Sequence, residues 1–188
     1  MKFHRVIARL DIKGPNLVKG VHLEGLRVLG KPEIFAESYY RDGADELFFQ
    51  DTVASLYQRN NLFNIVTRTA ENTFIPLTVG GGLRNLSDIR NALRAGADKV
   101  AINTEAYEDD KFIEIAAKEF GSQCIVVSMD VKKTEQGDSV FTKFGTKDTG
   151  KDALFWSKRM ENSGAGEILL NSIDRDGTGK GYDIELLN

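Results

Sequence analysis

The sequence predicts an α/β fold built of repeated βα units. Two observations carry this: short apolar runs alternate with longer segments of helical period, and the same motifs recur about 120 residues apart. The runs read as strands are RVIARLD (5–11), DELFFQD (45–51), IPLTVG (75–80), KVAIN (99–103), CIVVSMD (124–130) and EILLNS (167–172). They are short and dense in Val, Ile, Leu and Phe, as strands buried on both faces are. Between them lie PEIFAESYYRDG, SLYQRNNLFNIVTRTAENT, LSDIRNALRAGA, DDKFIEIAAKEFG and DALFWSKRMENSGAG, with apolar residues at helical spacing. Four of these segments run into Gly43, Gly96, Gly121 and Gly164, the residue type that most readily ends a helix. Ser87-Asp88 and Asp109-Asp110 are read as helix starts.

The repeat selects among α/β folds. GADELFFQDTVAS (43–55) resembles GAGEILLNSIDRD (164–176), and LDIKG (10–14) resembles MDVKK (129–133). Glu46 and Glu167 are 121 residues apart, Asp11 and Asp130 119. Near-equal offsets imply two copies of about four βα units, hence a (βα)8 barrel of two repeated halves. Only about six units fit within 188 residues, so residues 1–188 are expected to form a single barrel domain lacking the last two βα units, truncated or incomplete.

Composition narrows the function classes. Hydrophobic residues make up 41% and charged residues 28%, the balance of a soluble globular chain. With 25 Lys+Arg against 28 Asp+Glu the net charge is -3, which offers no global field for nucleic acid or a membrane. Cys124 is the single cysteine, so no internal disulfide forms, and a cytoplasmic location is expected. His4 and His22 have no ligand-spaced partners; no metal and no cofactor are expected. Cys124 reads as core, and Trp156, on a helix with Phe155, as a packed side chain.

In a barrel of this kind chemistry sits at the C-terminal ends of the strands, where Asp11, Asp51, Asp130 and Asp176 fall. Each alone could simply cap the following loop. Asp11 and Asp130, at repeat-equivalent ends, suit acid and base work on one substrate. LTVGGGLRNLSDIR (77–90) is strand, three glycines and helix start, an arrangement that can aim backbone N–H groups and a helix dipole at a phosphate, or can be only a tight turn. Gly81 and Gly82 are its binding candidates, joined by Asn103 and Thr104 from the next strand end and by Lys19 as nearest cation. Arg5, Glu46, Lys99 and Glu167 stand at the opposite strand ends, as a salt-bridge ring or as a charged gate. KKTEQGDSVFTKFGTKDTGKD (132–152) alternates like a hairpin and is read as a loop or lid over the site.

Together RLDIKG, LVKGV, GADEL, PLTVGGGLR, RAGADKVAIN, FGSQCIVVSMD, GAGEILL and DRDGTGKGYD resemble the cyclase subunit family of imidazole glycerol phosphate synthase, across all 188 residues. The resemblance implies a two-half (βα)8 barrel that takes ammonia from a glutaminase partner. With it the family converts a bis-phosphorylated aminoimidazole carboxamide ribonucleotide to imidazole glycerol phosphate and the carboxamide ribotide. It implies Asp11 and Asp130 as the acid/base pair, and Gly82, Asn103 and Thr104 as a phosphate site. Lys19 falls in the mobile first loop, and Asp176 and Gly177 on the rim after the sixth strand. Arg5, Glu46, Lys99 and Glu167 match the ammonia gate, with Asp98 at the partner interface. A second phosphate site would need the seventh and eighth strands, so these 188 residues should not complete the reaction.

Three residues depart from the family's pattern: Arg9 for a small residue, Gln50 for an apolar one and Asn171 for threonine. A buried arginine needs a partner, which Gln50 or a rim carboxylate could supply. These changes leave open a paralogue that aminates a sugar in surface-polysaccharide synthesis. A non-catalytic phosphate-binding or assembly module is the reading from another class. The related sugar isomerase of the same pathway fits less well, given the four-charge ring and DRDGT.

Overall fold

A computed structural model of the chain describes residues 4–54, 62–109 and 111–188. The chain is α/β with a parallel-rich sheet, and it divides into two compact units. One comprises Met1–Val18 with Val28–Ala101, the other Lys19–Arg27 with Ile102–Asn188. Among the described residues no helix is long and apolar enough to cross a membrane.

Strand β1 (Ile7–Lys13), in the first unit, turns back antiparallel into β2 (Asn16–Val21), with Asp11 opposite Val18. The chain continues through β3 (Glu24–Gly30), α1 (Pro32–Arg41), β4 (Glu46–Asp51), α2 (Phe63–Ala70), β5 (Leu77–Gly80), α3 (Leu86–Arg94) and β6 (Lys99–Ile102). Strand β4 lies parallel to β1, with Ile7 opposite Glu46 and Asp11 opposite Gln50. Strands β5 and β6 follow in parallel, Gln50 beside Gly80 and Gly80 beside Ala101. Leu47 and Phe49 on one side of β4 and Phe48 on the other are all buried, which is why DELFFQD lacks polar alternation. Fully burying Phe49 contributes about 2–3 kcal/mol, and its truncation to alanine should cost about 3–5 kcal/mol. Helix α3 buries Ile89 and Ala92, three residues apart on one face.

The second unit runs α4 (Thr104–Glu108), α5 (Phe112–Phe120), a 3-10 turn (Ser122–Cys124), β7 (Ile125–Thr134), β8 (Gly137–Thr142), β9 (Lys147–Asp152), α6 (Ala153–Asn162), β10 (Glu167–Ser172) and α7 (Ile184–Leu187). Strand β10 lies parallel to β7, with Asn171 opposite Asp130. Strand β8 lies antiparallel to β7, Asp130 opposite Phe141, and β9 extends the hairpin.

The predicted strands are found within two residues of their expected limits at most ends. Residues 55–61, expected to begin the second helix, and Asp110 lie outside the described residues. The hairpin at 132–152 is present as β7–β8–β9, but β2 and β3 occupy a stretch read as loop, because Gly14-Pro15 and Gly25 are turn residues between alternating strands. Helix α3 is capped by Asn85, not Ser87, since the Asn85 side chain accepts from the Asp88 N–H at 2.9 Å. Trp156 is buried as expected, while Cys124, expected in the core, is half-buried in the 3-10 turn before β7.

Candidate functional site

The repeat seen in the sequence becomes a repeated neighbourhood within each unit. Asp11 on β1 has an antiparallel strand on one side and a parallel one on the other, with Gln50 as its parallel neighbour. Asp130 on β7 has the same two kinds of neighbour, with Asn171 in the place of Gln50. Both aspartates are 5% exposed. A buried carboxyl needs donors, and the two units supply them differently.

In the second unit Asn171 Nδ2 donates to Asp130 Oδ1 at 2.9 Å, and Asn103 Nδ2 to Asp130 Oδ2 at 2.9 Å. Asn103, expected at a phosphate, is therefore turned to the carboxyl. Thr104 Oγ1 accepts from the Lys143 N–H at 3.3 Å, so its own O–H remains a donor for another acceptor. That contact sets the β8–β9 turn against Thr104. In the first unit Arg9 Nε donates to Asp11 Oδ1 at 2.8 Å, and its guanidinium carbon lies 5.8 Å from the Phe48 ring centre. The partner Arg9 requires is thus Asp11. Gln50 does not provide it: its Nε2 donates to the Asp51 carbonyl at 3.2 Å.

The glycine run is held against the end of β4. Gly81 has φ +100°, and a Cβ there would meet the Asp51 carbonyl oxygen at 2.4 Å, so only glycine fits. Asp51 Oδ1 accepts from the Val53 and Ala54 N–H groups, each at 3.0 Å, which makes it the loop cap of its simpler reading. Burial pushes the Asp51 carboxyl above the ordinary carboxylate range, opposed by those two hydrogen bonds. The start of α3 is closed by its own side chains: Asn85 takes the Asp88 N–H, and Asp88 Oδ2 takes the Arg84 N–H at 3.0 Å. The helix dipole expected to serve the anion therefore already faces an acidic first turn.

Lys19, Asp176 and Gly177 meet in the second unit. Lys19 Nζ lies 3.0 Å from Asp176 Oδ1, and Asp176 Oδ2 accepts from the Leu23 N–H at 3.2 Å. The Asp176 carbonyl accepts from the His22 N–H, also at 3.0 Å, and a Cβ at Gly177 would strike the Gly20 carbonyl. Asp176 thus fastens the β2–β3 hairpin at Lys19 and Leu23.

Of the four expected ring charges, three meet in the first unit. Glu46, 3% exposed, accepts from Arg5, and Lys99 Nζ lies 3.1 Å from its Oε2. Glu167 begins β10 in the second unit. Asp98 is exposed beside Lys99; its Oδ2 accepts from the Leu77 N–H at 2.8 Å, at the edge of a cavity of about 330 Å³ also lined by Phe74 and Pro76. Of the two partners the sequence offered Arg9, Gln50 or a rim carboxylate, the structure gives the carboxylate, Asp11; Asn171 stood out only as a departure, with no sign that it holds Asp130. The repeat alone could have found Asn171, since it places Asn171 beside Asp130 as it places Gln50 beside Asp11.

Residues 5–188 match the family model described as "Histidine biosynthesis protein". The chain belongs to this family. Among proteins similar to it, "Imidazole glycerol phosphate synthase subunit HisF" of Legionella pneumophila is 59% identical over 184 residues, covering 97% of this chain and 87% of that protein. The protein of the same name from Saccharolobus solfataricus is 51% identical over 186 residues, 99% of this chain and 74% of its own length. That of Natranaerobius thermophilus is 48% identical over 184 residues, with shares of 98% and 73%. Membership of the histidine biosynthesis family agrees with the resemblance drawn from the motifs.

Proposed function

We propose that this chain is the cyclase subunit of imidazole glycerol phosphate synthase, a (βα)8-type enzyme of two similar halves that works with a glutaminase in the cytoplasm. It uses ammonia and a bis-phosphorylated aminoimidazole carboxamide ribonucleotide to make imidazole glycerol phosphate and release the carboxamide ribotide. The observation that carries this reading is the pair Asp11 and Asp130, two buried carboxyls in matching strand neighbourhoods. Ring closure of an ammonia adduct requires one group to take a proton and another to give one. Two carboxyls with unlike donors, a guanidinium for Asp11 and two amides for Asp130, suit such a division.

The remaining roles follow from charge and reach. The amides of Gly81 and Gly82 and the hydroxyl of Thr104 hold a substrate phosphate, while Asn103 supports that site and fixes Asp130. Lys19, released from Asp176, supplies a cation over the bound substrate. Arg5, Glu46, Lys99 and Glu167 form the gate for ammonia, and Asp98 contacts the glutaminase. The test is turnover of the bis-phosphorylated ribonucleotide with ammonium salt by the full-length protein. Asp11→Asn and Asp130→Asn should each abolish it, and full activity in either variant removes the proposal.

A second reading, amination of a sugar in surface-polysaccharide synthesis, is favoured by the Arg9–Asp11 ion pair, which changes the charge beside the reacting group. It forecasts no turnover of the ribonucleotide and no rescue of a histidine auxotroph.

A further inference from the structure

The internal repeat supplies a control for Arg9. Arg9 and Asp11 on β1 correspond, at the 119-residue offset, to Ser128 and Asp130 on β7. In the second unit the small Ser128 leaves room below the carboxyl, and the amide from the parallel neighbour, Asn171, reaches across to Asp130 Oδ1. In the first unit the corresponding amide, Gln50, is committed elsewhere: its Nε2 donates to the Asp51 carbonyl, and its Oε1 covers Gly80, 2.6 Å from where a Cβ would stand. The donor seen on Asp11 comes instead from the same strand, two residues back, where successive inward positions stack. Arg9 Nε reaches Oδ1 at 2.8 Å, with the Arg9 side chain 23% exposed. Its guanidinium rests 5.8 Å from the Phe48 ring centre, and Phe48 is its direct partner across the β1–β4 register. A planar guanidinium supported by an aromatic ring and tied through Nε has little freedom, so it transmits its orientation to the carboxyl it holds.

We propose that Arg9 is the positioning residue for Asp11, doing by a same-strand ion pair what Asn171 does for Asp130 by a cross-strand amide. This deepens the functional reading above and rests on it. The Arg9–Phe48 layer lies on β1 and β4 between the Ile7–Glu46 pair below and the Asp11–Gln50 pair above, so the charge is placed at the reacting end of the strand and not at the Glu46 cluster.

The experiment compares the unaltered full-length protein with Arg9→Ala and Arg9→Met, with its glutaminase partner or with ammonium salt alone. Expected for Arg9→Ala is a loss of about 10- to 100-fold in kcat with KM little changed, the size of effect produced by misplacing a reacting group. The loss should be equal with glutamine and with ammonium salt, and millimolar guanidinium should restore part of it. Arg9→Met, which fills the space without the charge, should remain as slow. Unchanged activity in Arg9→Ala overturns the proposal, as does full activity in Arg9→Met, or a loss confined to glutamine-driven turnover. An arm independent of turnover is the Arg9 Nε–H resonance: slow exchange that collapses in Asp11→Asn supports the pairing, and the exchange rate of a free arginine overturns it. Failure of the unaltered full-length protein to turn over the ribonucleotide with ammonium salt would count against the functional reading instead, and the resonance still decides the pairing.

Discussion

Asn171→Ala is the sharpest probe of how Asp130 is held. The Asn171 donor sits 2.9 Å from Asp130 Oδ1, and Asp130 is 5% exposed, so water has little access to replace a lost donor. Removing a hydrogen bond to such a group costs about 1.5–3 kcal/mol. With a urea dependence of about 2 kcal/mol per molar, usual for a chain of this size, the unfolding midpoint should fall by about 1 M. A double-mutant cycle with Asp130→Ala isolates the interaction from the change in packing, and the coupling should exceed about 1 kcal/mol. Turnover should fall in parallel, because a carboxyl held by Asn103 alone of these two amides can rotate. A coupling below about 0.5 kcal/mol, which is within ordinary additivity, would refute the assignment of Asn171 to Asp130.

Three further outcomes are expected. Because burial raises the Asp51 carboxyl, its stabilising contribution is complete below its unfolded-state range and is lost as pH rises through the folded value, so the ionised group is a cost at neutral pH. Asp51→Asn, which keeps an acceptor for the Val53 and Ala54 N–H groups, should therefore raise the melting temperature at pH 7, with the gain vanishing near pH 4; an equal change at both values refutes it. Gly81→Ala should destabilise the fold by about 1–3 kcal/mol from the positive φ, with the clash against Asp51 in addition, and raise KM for the phosphorylated substrate; a neutral melt would show that the loop is not so held. Lys99→Met removes one cation from the buried Glu46 and should cost about 3 kcal/mol, the low end for breaking a buried pair, because Arg5 remains; denaturant midpoints read it.

What was legible without coordinates was whatever depends on neighbours in sequence. Strand positions came from apolar runs, the helix ends at Gly96 and Gly164 from glycines at φ +114° and +99°, and the like strand neighbourhoods of Asp11 and Asp130 from the repeat. The β2–β3 strands were not, because their short alternation around turn residues also suits an ordered loop. The capping of α3 was misplaced by two residues, since Asn85, Ser87 and Asp88 are all good caps and only backbone geometry, Asn85 at φ -151°, chooses among them.

The sequence by itself determined the α/β class, the family and the repeat that makes Asp11 and Asp130 equivalent, because periodicity, repeats and motifs are properties of the chain's own order. Only the tertiary structure decided that Arg9 belongs to Asp11, that Asn103 and Asn171 both turn to Asp130, and that Asp51 caps a loop. Hydrogen-bond partners are set by distances of about 3 Å between side chains that can lie 27 or 41 residues apart, and no local pattern encodes which of several capable donors arrives first.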